Sequence, residues 1–250
     1  MWDNAILLRK IANTLMVFSV FAVVYGAAYY LVHLPKLFSL QSVRLSTVPQ
    51  RVSAAALLQV VRSEARGNLF TVDIGRLRQS LEKLPWVRSV SIRREFPHAM
   101  VVQLEEHQAL GRWNGSALVN QQGEVFFAES DQALPGFIGQ DGSSAEMVQH
   151  YAQFSQQLAG LGLSVTEVAL SPRHAWQLRL SNGIVLALGH DDMQQRLARF
   201  VAVYPYAENR IQKRERGGAA RYVDLRYRNG FAVRQALRGG ERGIGQWATS

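Results

Sequence analysis

Several residue types and motifs are missing from this 250-residue sequence. It has no cysteine, which excludes disulfide bonds and thiol chemistry, so its folded parts depend on their cores alone. No serine stands in a Gly-x-Ser-x-Gly motif, and the glycine-rich stretch 239–245 lacks the Lys-Ser/Thr pair of a phosphate-binding loop. The six histidines are scattered, without the helical spacing of a metal site. We therefore predict no catalytic residue, no metal and no cofactor.

Charge is missing from one long segment. Residues 11–34 contain no Lys, Arg, Asp or Glu, and this apolar run exceeds the roughly 20 residues that a helix needs to cross a bilayer core. Arg9 and Lys10 precede it, and Tyr29 lies near its far end, where aromatic rings favour the membrane interface. We predict a cytoplasmic head at 1–10, a transmembrane helix at 11–34 and export of the remainder.

A cleaved signal peptide is the alternative for this segment. Gly26, Ala27 and Ala28 offer the small residues that a signal peptidase accepts. However, the apolar run is longer than the usual hydrophobic region of about 7–15 residues, and it continues past the candidate cleavage site. A retained single-pass anchor is the better interpretation.

The region after the apolar segment predicts strand, helix, helix, strand and strand, in that order. Ser53 is a candidate N-cap for the first helix and Asp73 for the second, which ends before Pro85. Two strands follow, joined by a turn at Pro97 and His98. The residues expected to face the core are Leu57, Leu58, Val61, Ala65, Ile74, Leu77, Leu81, Leu84, Val90, Ile92, Met100, Val102 and Leu104.

This order of elements resembles a POTRA domain, the polypeptide-transport-associated module. The more specific part of the resemblance is LPWVRSVSIRREFP, followed by a second apolar strand that ends in Glu105 and Glu106. The resemblance implies a POTRA domain with a β-α-α-β-β fold over residues 38–108.

The run Glu105, Glu106 and His107 is the best candidate for acid–base chemistry in the chain. Neighbours on a strand point to opposite faces, so only Glu105 and His107 share one. We interpret the run as a solvated strand end.

From about residue 109 the sequence is richer in strands and turns. Residues 121–123 and the dipeptide Asn182-Gly183 predict two hairpins. The expected helices are 144–163 and 190–206. We predict a mixed antiparallel β domain with flanking helices at 109–238 and a flexible basic tail at 239–250, so the overall fold class is α+β.

The whole arrangement resembles the FtsQ/DivIB family of bacterial cell-division proteins. The most specific stretches are QRLARFVAVYP and YVDLRYRNGFAV. The resemblance implies a non-enzymatic divisome scaffold in the inner membrane, single-pass and type II, whose C-terminal domain is periplasmic and which is located at the division septum. It implies binding of the FtsB/FtsL pair, a link between early and late division proteins, and help in controlling septal peptidoglycan synthesis. Other divisome proteins are expected at the POTRA domain and transmembrane helix, and no nucleic acid is expected.

The last predicted element is a hairpin near the C-terminus. Val223, Leu225 and Tyr227 alternate with charged residues, which predicts a half-buried strand. The second strand, from Phe231 to about Ala236, is the last to be added to the sheet. It is therefore an edge unless another chain covers it.

The register of this hairpin depends on its loop. A two-residue loop puts an arginine on the apolar face, opposite Leu225. A three-residue loop at 228–230 instead sets Leu225 opposite Val233, and it holds Gly230 in the left-handed conformation. We predict the three-residue loop.

An edge strand of this kind has two interpretations. It is either an ordinary edge protected by arginines or a surface that accepts a partner strand through main-chain hydrogen bonds. The family resemblance implies the second, with FtsB as the added strand. The candidate partner-binding residues are Arg226, Tyr227, Asn229, Gly230, Phe231, Ala232, Val233 and Arg234 in the hairpin, with His190, Arg196 and Arg199 on the preceding helix.

The net charge of +9 leaves a further interpretation open. Residues 210–242 contain ten basic and three acidic residues, which together give +7 of that total. A membrane-tethered binder of an anionic polymer or lipid fits this charge, and its binding is lost in high salt, whereas strand pairing persists in part. A POTRA module for outer-membrane protein insertion is the third interpretation. It requires tandem modules or a following β-barrel, and the sequence predicts neither.

Overall fold

The computed structural model describes residues 5–33, 40, 42–65, 68–212, 221–227 and 230–235 of two compact units, Met1–Glu106 and His107–Ser250. The first unit contains α1 Ala5–His33, β1 Ser42–Leu45, α2 Ala54–Glu64, α3 Ile74–Glu82, β2 Val87–Glu95 and β3 Ala99–Glu106. The second unit contains β4 Ala109–Trp113, β5 Ala117–Asn120, β6 Val125–Phe126, β7 Gly136–Ile138, α4 Ser144–Ala159, β8 Val165–Leu170, β9 Trp176–Leu180, β10 Ile184–Gly189, α5 Met193–Gln212, β11 Arg221–Asp224 and β12 Ala232–Gln235.

Helix α1 is formed by the apolar segment. Between Leu8 and Leu31 it has a mean hydropathy of 1.8 and is long enough to cross a membrane. The side chains described along it are exposed, as expected for a helix whose surroundings are lipid. The helix begins earlier than predicted, at Ala5.

The first unit has a three-stranded sheet in the order β1-β3-β2. The central strand β3 is parallel to β1 and antiparallel to β2. Both predicted N-caps are confirmed, because the N–H of Ala56 donates to the Ser53 side chain and the N–H of Arg76 donates to Asp73 at 2.9 Å. The predicted order of elements is therefore the observed one.

The core of the first unit lies between helices α2 and α3 and one face of the sheet. Leu77, Leu81 and Val90 are buried, as predicted. Leu58 was predicted to face the core but is 54% exposed, whereas its neighbour Leu57 is 3% exposed. Consecutive helical residues point about 100° apart, so only one of this pair reaches the sheet.

The second unit has a nine-stranded sheet in the order β12-β11-β10-β9-β8-β7-β4-β5-β6. Three neighbouring pairs are parallel, namely β10 with β11, β4 with β7 and β7 with β8. The short strand β7 was not predicted from the sequence. It carries Phe137, which is fully buried and occupies the space where a Cβ at Gly111 would otherwise lie. The absence of a side chain at Gly111 thus admits this ring.

Helices α4 and α5 pack against the core of this sheet. Helix α5 does not begin at residue 190 as predicted, because Asp192 has a φ of 47°, outside the helical range. It also continues through Pro205 to Gln212, where an end at 206 was predicted. Pro205 has no N–H, so one carbonyl in the preceding turn lacks its helical hydrogen bond. Because Pro205 is exposed, water can donate to that carbonyl instead. Helix α4 ends at Ala159, before the predicted 163.

Asn120 is fully buried at the end of β5 and organises the turn to β6. Its Oδ1 accepts the N–H groups of Gln122 at 3.0 Å and Glu124 at 2.8 Å. Its Nδ2 donates to Glu124 Oε2 at 2.6 Å and lies 3.0 Å from His107 Nδ1. The His107 ring stacks on Phe126 at 4.1 Å. The predicted hairpin at 121–123 is thus held by one buried amide.

Candidate partner-binding surface

Strand β12 lies at one edge of the nine-stranded sheet. It pairs antiparallel with β11, which in turn pairs parallel with β10. Among the residues that the structure describes, no strand pairs with the other side of β12. Its outer main-chain groups are therefore available to a further strand.

The register of this hairpin differs from the predicted one. The structure sets Val223 opposite Val233 and Asp224 opposite Ala232, whereas Leu225 opposite Val233 was predicted. The prediction was therefore wrong by two residues along the chain. Because the shift is even, the apolar residues stay on the same face of the sheet, and Val233 packs against the core as expected.

Asp224 explains why β11 ends early. Its side chain is buried rather than solvated, at 3% exposure, and it accepts hydrogen bonds from the Arg226 N–H at 3.0 Å, Nε at 2.9 Å and Nη2 at 2.6 Å. These bonds turn the chain out of the strand at Arg226. The strand therefore does not extend to Tyr227, which is 51% exposed.

The predicted left-handed conformation of Gly230 stays a prediction, because its φ involves Asn229, which lies outside the described residues. A Cβ at position 230 would meet no atom within 4 Å. Gly230 lines an adjacent groove.

Alternation along β11 decides which groups of β12 point outward. The N–H of Leu225 donates to the carbonyl of Ala187 in β10 at 3.0 Å. Main-chain groups of successive strand residues point to opposite sides, so those of Asp224 point towards β12. Asp224 lies opposite Ala232, which therefore bonds inward. Val233 consequently directs its N–H and C=O away from the sheet.

A groove of about 520 Å³ lies between α5 and the terminal hairpin. Its floor is apolar, because Phe200 is fully buried and Leu225 is 3% exposed. The ring of Phe231 is half-buried and its centroid lies 6.3 Å from that of Phe200. The principal lining residues are Arg196, Arg199, Phe200, Val203, Leu225 and Phe231. The groove therefore combines an apolar floor with a basic wall.

Two arginines meet beside Gly189. A Cβ at Gly189 would lie 2.8 Å from Arg196 Nη1 and 3.2 Å from Arg226 Cγ, so both side chains cross the same glycine. Arg196 donates to the carbonyl of Leu188 at 2.6 Å. The hydrogen bonds that Arg226 donates to Asp224 raise the pKa of Arg226, with burial opposing this effect. The Arg226 guanidinium is therefore positively charged at neutral pH.

The other described residues that were predicted to bind the partner are not among those that line the groove. His190 is exposed next to Gly189, and its Nδ1 lies 2.7 Å from Asp191 Oδ1. It precedes α5 rather than lying on it. Tyr227 does not line the groove. Asn229 and the side chain of Arg234 lie outside the described residues.

Sequence reasoning missed the contribution of Val203 to the groove. Val203 is 44% exposed and lies one helical turn after Arg199. The signal available in the sequence was an apolar residue within the otherwise polar outward stripe of α5. Leu225 was also missed as a floor residue, because it was assigned to the strand core.

The run Glu105, Glu106 and His107 does not form a common site. Glu105 binds Arg88 at 2.6 Å and Ser89 at 2.9 Å. Glu106 accepts main-chain N–H groups near the start of α2, and His107 contacts Asn120. In the described part of the chain, no group of three His, Cys, Asp or Glu residues is placed to hold a metal.

Two family models match the chain over adjacent regions. The model for an FtsQ-type POTRA domain matches residues 38–107, and the model for the C-terminal region of cell division protein FtsQ/DivIB matches residues 111–226. The chain belongs to the FtsQ/DivIB family of cell-division proteins. The predicted family resemblance and α+β fold are thereby confirmed. The C-terminal match ends at Arg226, so the argument for β12 as a binding edge rests on the geometry described above.

Two relatives in this family align with nearly the whole chain, and a third aligns with about two thirds of it. Cell division protein FtsQ of Nitrosospira multiformis is 39% identical over 239 residues, which cover 94% of this chain and 99% of the relative. That of Burkholderia pseudomallei is 37% identical over 243 residues, with 94% and 95% covered. FtsQ of Escherichia coli is 37% identical over 172 residues, covering 67% of this chain and 62% of the relative.

Proposed function

We propose that this FtsQ/DivIB family member is a non-enzymatic, single-pass scaffold of the divisome that receives FtsB, paired with FtsL, by strand addition at β12. The single observation that carries the proposal is the outward main chain of Val233, on an edge strand beside an apolar groove. Strand addition uses such main-chain groups for affinity and adjacent pockets for selectivity. The protein thereby links early and late division proteins and helps to control septal peptidoglycan synthesis.

The groove indicates the chemistry of the added segment. An apolar side chain that projects from the partner strand would fill the space above Phe200 and Leu225. Arg196, Arg199 and Arg226 favour an acidic residue next to that apolar side chain. We therefore expect a partner segment that combines β-forming residues with one apolar anchor and at least one carboxylate.

The proposed topology places the C-terminal unit in the periplasm. Arg9 and Lys10 lie at the N-terminal end of α1, and the positive-inside rule assigns that end to the cytoplasm. We further propose that the protein is located at the division septum, in the inner membrane, where other divisome proteins contact the POTRA domain and α1. A periplasm-dependent reporter fused after Ser250 is expected to be active, and cytoplasmic activity of that fusion would overturn the orientation.

A matched pair of proline substitutions tests strand addition. Proline has no N–H, so Val233→Pro removes an outward donor and obstructs the added strand, whereas Ala232→Pro removes a donor that pairs with β11. We expect Val233→Pro to weaken binding of the FtsB/FtsL pair by at least about tenfold, or about 1.4 kcal/mol, with little change in Tm. Ala232→Pro is expected to lower Tm.

The measurement uses the full chain in lipid nanodiscs and the FtsB/FtsL pair from the same organism. Binding and thermal unfolding are recorded on the same preparations. Unchanged binding by Val233→Pro, with the fold intact, would require strand addition at this edge to be abandoned. Binding that disappears with salt in both variants would favour the purely electrostatic interpretation.

A further inference from the structure

An exposed aromatic pair lies on the first unit. Phe70 is 39% exposed and Phe96 is 60% exposed, and their ring centroids are 5.5 Å apart. Phe70 belongs to the α2–α3 connection and Phe96 to the β2–β3 turn. Arg94 joins the two segments, because its Nε donates to the carbonyl of Leu69 at 2.7 Å. The pair is therefore a defined patch supported by two connections, not a single stray side chain.

This aromatic patch lies at the end of the three-stranded sheet where β1 begins. Strand β1 is parallel to β3, with Ser42 opposite Ala99. The Ser42 N–H also donates to the carbonyl of His98, at 3.4 Å, in the β2–β3 turn. The first residue of β1 is therefore beside the turn that carries Phe96. The opposite end of the sheet is where Val87 lies opposite Glu106.

The chain allows only a short separation between this end of the sheet and α1. Helix α1 ends at His33, and Leu40 already packs against the core of the first unit. Six residues, 34–39, join them. A fully extended link of this length spans at most about 25 Å. If α1 crosses a membrane, the aromatic patch is held close to the surface from which α1 emerges.

The charge around the patch suits an anionic lipid surface. Arg44, Arg93 and Arg94 lie on the strands at this end, and all three are exposed. The acidic residue among them, Glu95, lies 3.6 Å from Arg44. Aromatic rings beside basic side chains favour the interface between lipid acyl chains and headgroups. Three arginines against one glutamate leave a positive charge for phosphate headgroups.

We propose that Phe70 and Phe96, with the neighbouring arginines, form a lipid-contacting patch that seats the POTRA domain on the membrane surface. The patch inserts two apolar rings at the headgroup level while the arginines bind lipid phosphates. The domain is thereby oriented relative to the bilayer, with the end of the sheet at Glu106 directed away from it. This inference rests on the proposed membrane span of α1 and is independent of strand addition at β12.

The absence of cysteine makes a clean labelling experiment possible. Glu95→Cys carries a polarity-sensitive fluorophore next to the patch, and Lys83→Cys carries the same fluorophore at the other end of the domain as the matched control. Both positions are exposed. The full chain is reconstituted into vesicles of phosphatidylethanolamine and phosphatidylglycerol that contain lipid-borne spin-label quenchers. We expect quenching at position 95 and little at position 83.

A second variant tests the two rings directly. Phe70→Ser combined with Phe96→Ser, in the Glu95→Cys background, is expected to reduce lipid quenching to the level of the control. Circular dichroism melting checks that this variant remains folded. Replacement of phosphatidylglycerol by phosphatidylcholine is expected to weaken the quenching, and equal quenching would contradict the role of the arginines.

Three results would overturn the inference. The first is equal lipid quenching at positions 95 and 83 in the parent chain. The second is protection of position 95 from aqueous iodide without lipid quenching, which means that protein covers the patch. The third is failure of the chain to float with the vesicles, which removes the membrane span itself and with it the topology proposed above.

Discussion

Each of the two units contains a strand whose last residue has a carboxylate side chain, and the two carboxylates bind different kinds of partner. Glu106 ends β3 and accepts the N–H groups of Gln50 at 3.1 Å, Arg51 at 3.0 Å and Val52 at 2.9 Å. Asp224 ends β11 and binds Arg226, only two residues further along the chain. The first carboxylate joins distant segments and closes its domain. The second turns the chain locally and leaves the adjacent edge open.

Hydrogen bonds to a carboxylate can therefore either hold a domain closed or leave a sheet edge open to a partner. A carboxylate that accepts distant main-chain donors ties together segments that are far apart in sequence. A carboxylate that binds its own neighbour limits only the loop, and it presents the outer side of a guanidinium to solvent, since the Arg226 side chain is 58% exposed. The second arrangement suits a site that must receive a partner.

The largest loss of stability is expected from a substitution that buries a carboxylate without hydrogen-bond donors. Val90 is 3% exposed in the core of the first unit, and Val90→Asp buries a carboxylate there at a cost of several kcal/mol, about 3–5. Ser91→Asp is the matched control, because Ser91 is exposed on the next strand position. Thermal unfolding should show loss of the first unit with Val90→Asp alone. Equal melting of both variants would mean that the assigned facing of β2 is wrong.

Removal of the Asp224 carboxylate is expected to have the next largest effect. Asp224→Ala deletes the acceptor for Arg226, and hydrogen bonds to a charged group contribute about 1.5–3 kcal/mol. The loop loses its turn, so both the Tm of the second unit and FtsB/FtsL binding should fall. Glu105→Ala is a comparison on the first unit, where an exposed carboxylate binds Arg88. A variant at Asp224 that retains full binding would show that the loop is set by other contacts.

The hydrogen bonds that Glu106 accepts predict how the stability of the first unit depends on pH. Burial alone raises the pKa of Glu106, but hydrogen bonds from the N–H groups of Val52, Arg51 and Gln50 outweigh it and lower the pKa below its ordinary 4.5. The stabilisation is therefore fully present above pH 4.5 and is lost as the pH falls through the folded-state pKa. Glu106→Gln should lower stability at pH 7 by about 1–2 kcal/mol and flatten the dependence below pH 4.5.

Chemical denaturation of the full chain between pH 3 and pH 7 checks this expectation. Glu95→Gln is the control, because Glu95 is exposed and lies 3.6 Å from Arg44. An acid dependence that stays the same in Glu106→Gln would show that other carboxylates control it.

The smallest effect is expected at Gly230. No atom lies within 4 Å of a Cβ placed there. Gly230→Ala should therefore change the free energy of unfolding by less than about 0.5 kcal/mol. Calorimetry of the full chain measures this directly. A loss of more than 1 kcal/mol, about twice the usual surface effect, would favour the tight left-handed turn that the sequence predicted.

Local sequence patterns predicted most of the first unit. The caps at Ser53 and Asp73 depend on donors three residues away, and the facing of Val90 follows from alternation along one strand. Such features involve short stretches of chain, so a single sequence contains their signals. The family resemblance then extended the prediction to the whole arrangement.

The hairpin register was not predictable in the same way. It depends on Asp224 being buried in the folded unit, and the alternation of residues suggested the opposite. The parallel pairing of β10 with β11 joins segments that are distant in sequence, and β7 has only three residues. The groove beside β12 requires α5 and the hairpin to be adjacent, which no local pattern encodes.

The buried amide of Asn120 also determines which ring nitrogen of His107 carries the proton. Its Oδ1 already accepts two N–H groups, so the amide cannot be flipped and its NH₂ must face His107. Nδ1 of His107 therefore acts as the acceptor, and the neutral imidazole is the Nε2–H tautomer. Nitrogen-15 chemical shifts of the labelled ring distinguish the two tautomers. This one histidine thus reports, through its ring nitrogens, whether the turn between β5 and β6 is folded.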